Sequence, residues 1–125
     1  GLNNMLADRN TFDMHTAEDS ETIEDVLNGL EIKKDHPTIV LHHRPDGVKY
    51  MQEKDTGLLL AGHTHAGQIF PFTFIAKLMF GYNRGLYQYE TMNIFVSEGS
   101  GTIFAPVRLG TRSEMTLIRL IPDKQ

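Results

Sequence analysis

Two stretches decide how this chain folds: Thr38-Ile39-Val40-Leu41-His42-His43-Arg44-Pro45 and Leu58-Leu59-Leu60-Ala61-Gly62-His63-Thr64-His65-Ala66-Gly67-Gln68. Each begins with a short run of mostly apolar residues and breaks into a polar segment carrying histidine. Pro37 precedes the first run, which is largely β-branched, so it reads as a buried strand. Pro45 forbids that strand from continuing as a central one. The second run reads as another buried strand, closed by Gly62. Residues 46–54, between them, read as a short helix. Two apolar strands separated by a helix, each ending in a histidine-bearing loop, predict an α/β arrangement with a site at the strand ends.

Upstream, residues 8–20 are polar and irregular. Ile23, Val26 and Leu27 then share one helical face, with Ser20 predicted as the N-cap, Gly29 as the stop and Leu30 just past it. Acidic Glu21, Glu24 and Asp25 fall in the early turns, where the helix dipole favours them. Downstream, residues 87–90 and 93–97 read as paired strands, and 114–121 as a terminal strand with partial alternation. Glu98-Gly99-Ser100-Gly101 reads as a tight turn; a lone Gly-x-Gly that precedes no helix is a weak phosphate cradle. The expected fold class is α/β, a mixed sheet with few helices.

At 125 residues, 40% hydrophobic and 22% charged, the chain fits one compact domain rather than several or a disordered segment. The absence of cysteine excludes disulfides, thiolate metal sites and a cysteine nucleophile. No serine stands in a Gly-x-Ser-x-Gly elbow. The net charge of −4 argues against general nucleic-acid binding. That charge is uneven: residues 1–60 carry a balance of −6 and residues 61–125 one of +2. A phosphate-bearing ligand therefore suits the second half better. No stretch approaches the length of a membrane span, and the N-terminus lacks the positive region of a signal peptide. The sequence begins abruptly, as if cut from something longer.

Six histidines are the main chemical asset. His63 and His65 stand at i, i+2 after a buried strand, between Gly62 and Gly67, where small neighbours let both imidazoles converge. His43 follows the preceding strand in the same way, so the three can meet at neighbouring strand ends. Neutral imidazole suits Zn, Mn, Fe or Co; the other reading is that the three cap strand ends and bond backbone carbonyls. His42 points away from His43 if the strand continues, which suits a supporting role. His36, before Pro37, reads as a surface loop residue. Asp13-Met14-His15 has the letters of an Asp-x-His metal pair, but no apolar strand precedes it.

These residues also carry a resemblance. Leu41-His42-His43-Arg44-Pro45 resembles the strand-end His-x-Pro motif of calcineurin-like metallophosphoesterases, and Gly62-His63-Thr64-His65 resembles their Gly-His-x-His motif. The continuation through Ala66-Gly67-Gln68-Ile69, Gly85-Leu86-Tyr87, Val96-Ser97-x-Gly99 and Pro106-Val107-Arg108-Leu109 is similar to the YkuE/YaeI-like bacterial branch. The resemblance implies part of an α/β/β/α sandwich, two divalent metal ions and phosphate-ester hydrolysis by a metal-bound hydroxide. It implies that His43 and His63 ligate one metal and His65 the other, with His42, Arg44, Gly62, Thr64 and Gln68 around them as supports or substrate contacts. The native metal among Mn, Zn, Fe and Co is left open, as is the choice between monoester, diester and pyrophosphate.

The family's N-terminal half supplies an Asp-x-His pair, a bridging Asp after Gly, and Gly-Asn-His, and no such set precedes His43. The chain therefore resembles a C-terminal half only, residues 1–125 being expected to form a fragment that is inactive alone and prone to self-association through an uncovered sheet edge. The alternative is a non-catalytic, partner-binding module that keeps the fold. Glu98 and Ser100 depart from that branch, which puts substrate contacts in doubt. The run Ile69-Phe70-Pro71-Phe72-Thr73-Phe74-Ile75-Ala76-Lys77-Leu78-Met79-Phe80 reads as an apolar loop. It either packs on the core or forms a wall beside the site, facing a membrane surface or a lipid-linked phosphate ester.

Overall fold

The computed structural model describes residues 21–33 and 35–122. Helix α1 spans Ile23–Gly29, strand β1 Thr38–Leu41, helix α2 Val48–Glu53 and strand β2 Thr56–Ala61. A 3₁₀ turn at His65–Gly67 leads to helix α3, Phe72–Met79, and then to strands β3, Gly85–Tyr89, and β4, Met92–Val96. The strands form one mixed sheet in the order β1-β2-β4-β3. Parallel pairs join β1 to β2 and β2 to β4, and an antiparallel hairpin joins β3 to β4. The α/β reading with few helices holds, as do both histidine-bearing strands and the hairpin.

Register explains the core. Val40 lies opposite Leu59, and Leu59 opposite Ile94, so one apolar row crosses three strands on one face. Ala61 and Val96 continue it, and Ile23, Leu27, Val48 and Met51 of α1 and α2 cover it. The two helices meet closely at Gly47, which holds a left-handed φ of +69°; a Cβ there would lie 2.8 Å from Ile23 Cδ1. Only glycine satisfies both conditions.

Four expectations need correction. The N-cap of α1 is Thr22, in a reciprocal capping box with Asp25; Ser20 lies outside the described residues. β1 is not buried on both sides: it is an edge strand, and Ile39 and Leu41 on its second face are exposed. The helices cover only the other face. Residues 114–121 form no strand. They cross that second face, with Thr116 and Ile118 near Leu41 and Phe95, and find no ladder partner there. Alternation alone makes no strand without a neighbour to receive its backbone hydrogen bonds. Finally, the apolar run 69–80 is not a loop: most of it is α3, which buries Ala76 and exposes Phe72, Phe74, Ile75, Leu78 and Met79.

Candidate metal centre

The parallel ladder of β1 and β2 continues past the strands. The His42 N–H donates to the Leu60 carbonyl and the Gly62 N–H to the His43 carbonyl, each at 3.1 Å. The backbone thus holds the two histidine-bearing segments side by side. Nδ1 of His63 lies 2.8 Å from Nε2 of His43, with the rings edge to face and their centroids 4.7 Å apart. Phe80 packs against His63 at 6.2 Å between centroids. His43 also lines an open cavity of about 510 Å³ at the strand ends, with His42, Gly62 and Ser97.

Two imidazole nitrogens this close cannot both offer free lone pairs to each other. Either one ring donates a proton to the other, or a cation stands between them. Two nitrogens bound to one ion at ~2.0–2.1 Å each would sit about 2.9 Å apart at a right angle and about 3.4 Å apart at a tetrahedral one. The pair therefore fits a metal in donor type, and its 2.8 Å spacing is close to the right-angled arrangement and shorter than the tetrahedral one. Among the described residues, however, no group of three or more His, Asp or Glu side chains is gathered to hold an ion. His43 and His63 by themselves do not make up a full coordination shell.

The segment after β2 is conformationally unusual. His63, His65, Ala66 and Gln68 all have positive φ, at 70°, 44°, 51° and 52°. Left-handed non-glycine residues cost on the order of 1–3 kcal/mol each and persist only where their surroundings over-determine them. Here the buried Thr64 does much of the holding: its hydroxyl donates to the Asn83 carbonyl at 2.6 Å and accepts from the Ala66 N–H. Gly67, at φ +80°, passes so close to α3 that a Cβ would meet the Phe72 carbonyl oxygen at 2.6 Å.

His65 is held apart from the His43–His63 pair. Arg108 Nη2 lies 3.2 Å from its Nδ1 and also donates to the carbonyls of Glu98 and Gly99 at 2.9 and 3.0 Å. A guanidinium only donates, so Nδ1 accepts and Nε2 carries the proton of the neutral ring. Burial, then the charge of Arg108 and, more weakly, that of His43, hold the imidazole below its usual range; the Gly101 carbonyl pulls the other way.

The remaining sequence candidates are structural in position. His42 is buried, and its Nδ1 pairs with the Arg44 carbonyl at 2.5 Å, pinning the turn after β1. Arg44 pairs through Nε with Asp46 at 2.8 Å. Gly62 supplies the N–H that joins the two loops. Gln68 is a hub: its Nε2 donates to the carbonyls of Ile103, Ala105 and Val107 at 2.9 Å each, and its Oε1 accepts from the Ile103 N–H. His36 is exposed, as its loop reading required. Asp13 and His15 lie outside the described residues. Sequence reasoning gave no role to Asn83 or Arg108, because no local pattern announces a contact 19 or 43 residues away.

No family model matches the chain, and no solved structure does. Curated proteins do. The chain is 44% identical over 91 residues to an uncharacterised metallophosphoesterase of Helicobacter pylori, covering 71% of this chain and 25% of that protein. It is 42% identical over 103 residues to a bovine transmembrane protein with metallophosphoesterase domain, covering 74% and 23%. It is 32% identical over 91 residues to phosphodiesterase YaeI of Escherichia coli, covering 68% and 33%. The chain thus spans a quarter to a third of these relatives. They include an animal protein, so the similarity is not confined to bacteria.

Proposed function

This chain belongs to the metallophosphoesterases, aligned with them over about 70% of its length, and from that premise we propose that it supplies the histidine side of a phosphate-ester-hydrolysing site. The facing imidazoles of His43 and His63 at 2.8 Å carry this reading. They would hold one divalent ion, and His65 would serve a second. Divalent ions bound there would polarise the phosphoryl oxygens and clamp an in-line displacement. The chain's own contribution is positional. The Gly62–His43 hydrogen bond fixes the distance between the two loops, Thr64 locks the strained segment, and Arg108 keeps His65 neutral and oriented. The remaining ligands come from outside the described residues, in keeping with a chain that spans about a quarter of its relatives. On this proposal the chain corresponds to the C-terminal half of the family domain and is inactive alone.

Mn²⁺ titration and Mn²⁺-dependent hydrolysis of bis-p-nitrophenyl phosphate, for the chain and for His63→Ala, test this. The expected result is Mn²⁺ binding that the substitution weakens at least tenfold, without turnover above the mutant. Turnover lost in the mutant would show that the chain builds a working site by itself. Binding that the substitution leaves unchanged would favour the non-catalytic, partner-binding module, a reading supported by the incomplete shell.

We also propose that the exposed side of α3 faces a membrane surface. Its outward residues are mostly apolar, and Lys77 and Arg84 stand near Phe74 on its flank, the combination that suits an anionic interface. Among the described residues no helix is long and apolar enough to cross a membrane. Replacing Phe72 and Phe74 by Ser is expected to abolish sedimentation with anionic liposomes; unchanged sedimentation would sink the idea. Self-association through the β1 edge is the companion proposal, expected to appear as a dimer in analytical ultracentrifugation.

A further inference from the structure

A second chamber opens beside His65. It encloses about 360 Å³ between the start of α3 and the loop of residues 101–109, within the range of small-molecule sites. Ile69, Phe72, Ile103, Phe104 and Ala105 wall it.

Its polar lining is largely committed elsewhere. Thr64 gives its hydroxyl to the Asn83 carbonyl. Gln68 divides its amide N–H groups among three carbonyls of the loop and accepts from that loop's Ile103 N–H. What Gln68 does for the chamber is to hold its wall, so the space is built and not left over. The imidazole of His65, with Arg108 behind it, is the polar end.

Phe104 adds an independent observation. It is fully exposed and has a left-handed φ of 61°, while the carbonyls on either side of it are tied to Gln68. A large aromatic residue is thereby held out of the core in a backbone conformation it does not favour. Covering it would remove a substantial apolar area from water.

We propose that this chamber receives the apolar substituent, alkyl or aryl, of a phosphate ester whose phosphate lies toward His65 and Arg108. The inference rests on the phosphoesterase reading above and narrows it to esters of hydrophobic alcohols.

The test is calorimetric binding of butyl, hexyl and octyl phosphate below their micelle concentrations, with octanol as the uncharged probe. The chain is compared with Phe104→Ser, whose exposed position leaves folding unaffected, and with Ile103→Ser. Affinity is expected to rise with alkyl length, by up to about fourfold per buried methylene, and the rise is expected to flatten in both variants. Equal affinity for butyl and octyl phosphate would overturn the chamber, and the phosphoesterase reading would stand if phosphate still bound. Octanol binding as tightly as octyl phosphate would overturn the phosphate-ester assignment itself. A length dependence that neither variant changes would place the apolar group elsewhere and overturn the proposal too.

Discussion

The sheet with its two helices and the shell formed by residues 62–84 and 97–112 use apolar side chains in opposite ways. In the first, Leu59, Met51, Ile94 and Val96 are sealed between β-strands and α1–α2. In the second, Phe72, Phe74, Leu78 and Phe104 point outward, and two polar side chains, Gln68 and Arg108, sit at the centre. Water exclusion holds the first region together. Directional hydrogen bonds hold the second, which leaves its apolar residues available for something other than the core.

That contrast can be broken experimentally, first where the effect is largest. Leu59→Ala removes a fully buried side chain from the central strand and is expected to cost about 2–5 kcal/mol in urea unfolding. A loss below 1 kcal/mol would mean that the sheet core is not what holds the chain. Gln68→Leu keeps the bulk but strands the carbonyls of Ile103, Ala105 and Val107, an expected loss of about 1–3 kcal/mol. Its sharper signature is local: faster hydrogen exchange at 103–109 with β2 and β4 unchanged. Equal acceleration in both regions would erase the distinction drawn here. Phe104→Ser is expected to move stability by no more than about 0.5 kcal/mol; a large loss would show Phe104 to be a core residue after all.

The smallest effect lies at the seam. Tyr82 packs against the core and the Tyr87 ring. Burial, and then Tyr89, raises its phenol above the ordinary value of 10.0. A folded-state value above the unfolded one means that its contribution to stability is complete below pH 10 and fades as pH climbs through the raised value. Tyr82→Phe should lessen the alkaline loss of stability, and in an absorbance titration the wild-type chain should show a late-ionising tyrosine that the variant lacks.

The same contrast marks what the sequence made legible. β1, β2 and the hairpin announce themselves through short apolar runs bounded by Pro37, Pro45, Gly62 and Gly99. The convergence of His43 and His63 follows from their equal offset beyond paired strands. The cap at Thr22 was also written locally, as Thr22 followed three residues later by Asp25, and Ser20 was the wrong choice between two hydroxyls. The run 69–80 was harder. Its helix buries only Ala76 and turns its large apolar side chains outward, the reverse of the pattern by which surface helices are recognised. Residues 114–121 carried alternation, but a strand is a property of a pair. Arg108 on His65 and Gln68 beneath the loop join positions 35 to 43 residues apart, and only the folded chain brings them together.

The parallel pairing of β2 with β4 has one last consequence. Everything from Gly62 to Thr91 is an excursion that departs from the middle of the sheet, adds β3 along its edge and returns to the strand next to where it left. Lengthening that excursion disturbs no strand register, provided Phe80 stays against His63 and Asn83 under Thr64, and doubling a flexible loop costs only about 0.6 kcal/mol in closure entropy. The outward surface carried by α3 can therefore be resized or exchanged while the histidine-bearing strand ends stay in place. In evolutionary terms, the chain can change what it touches without altering the scaffold beneath.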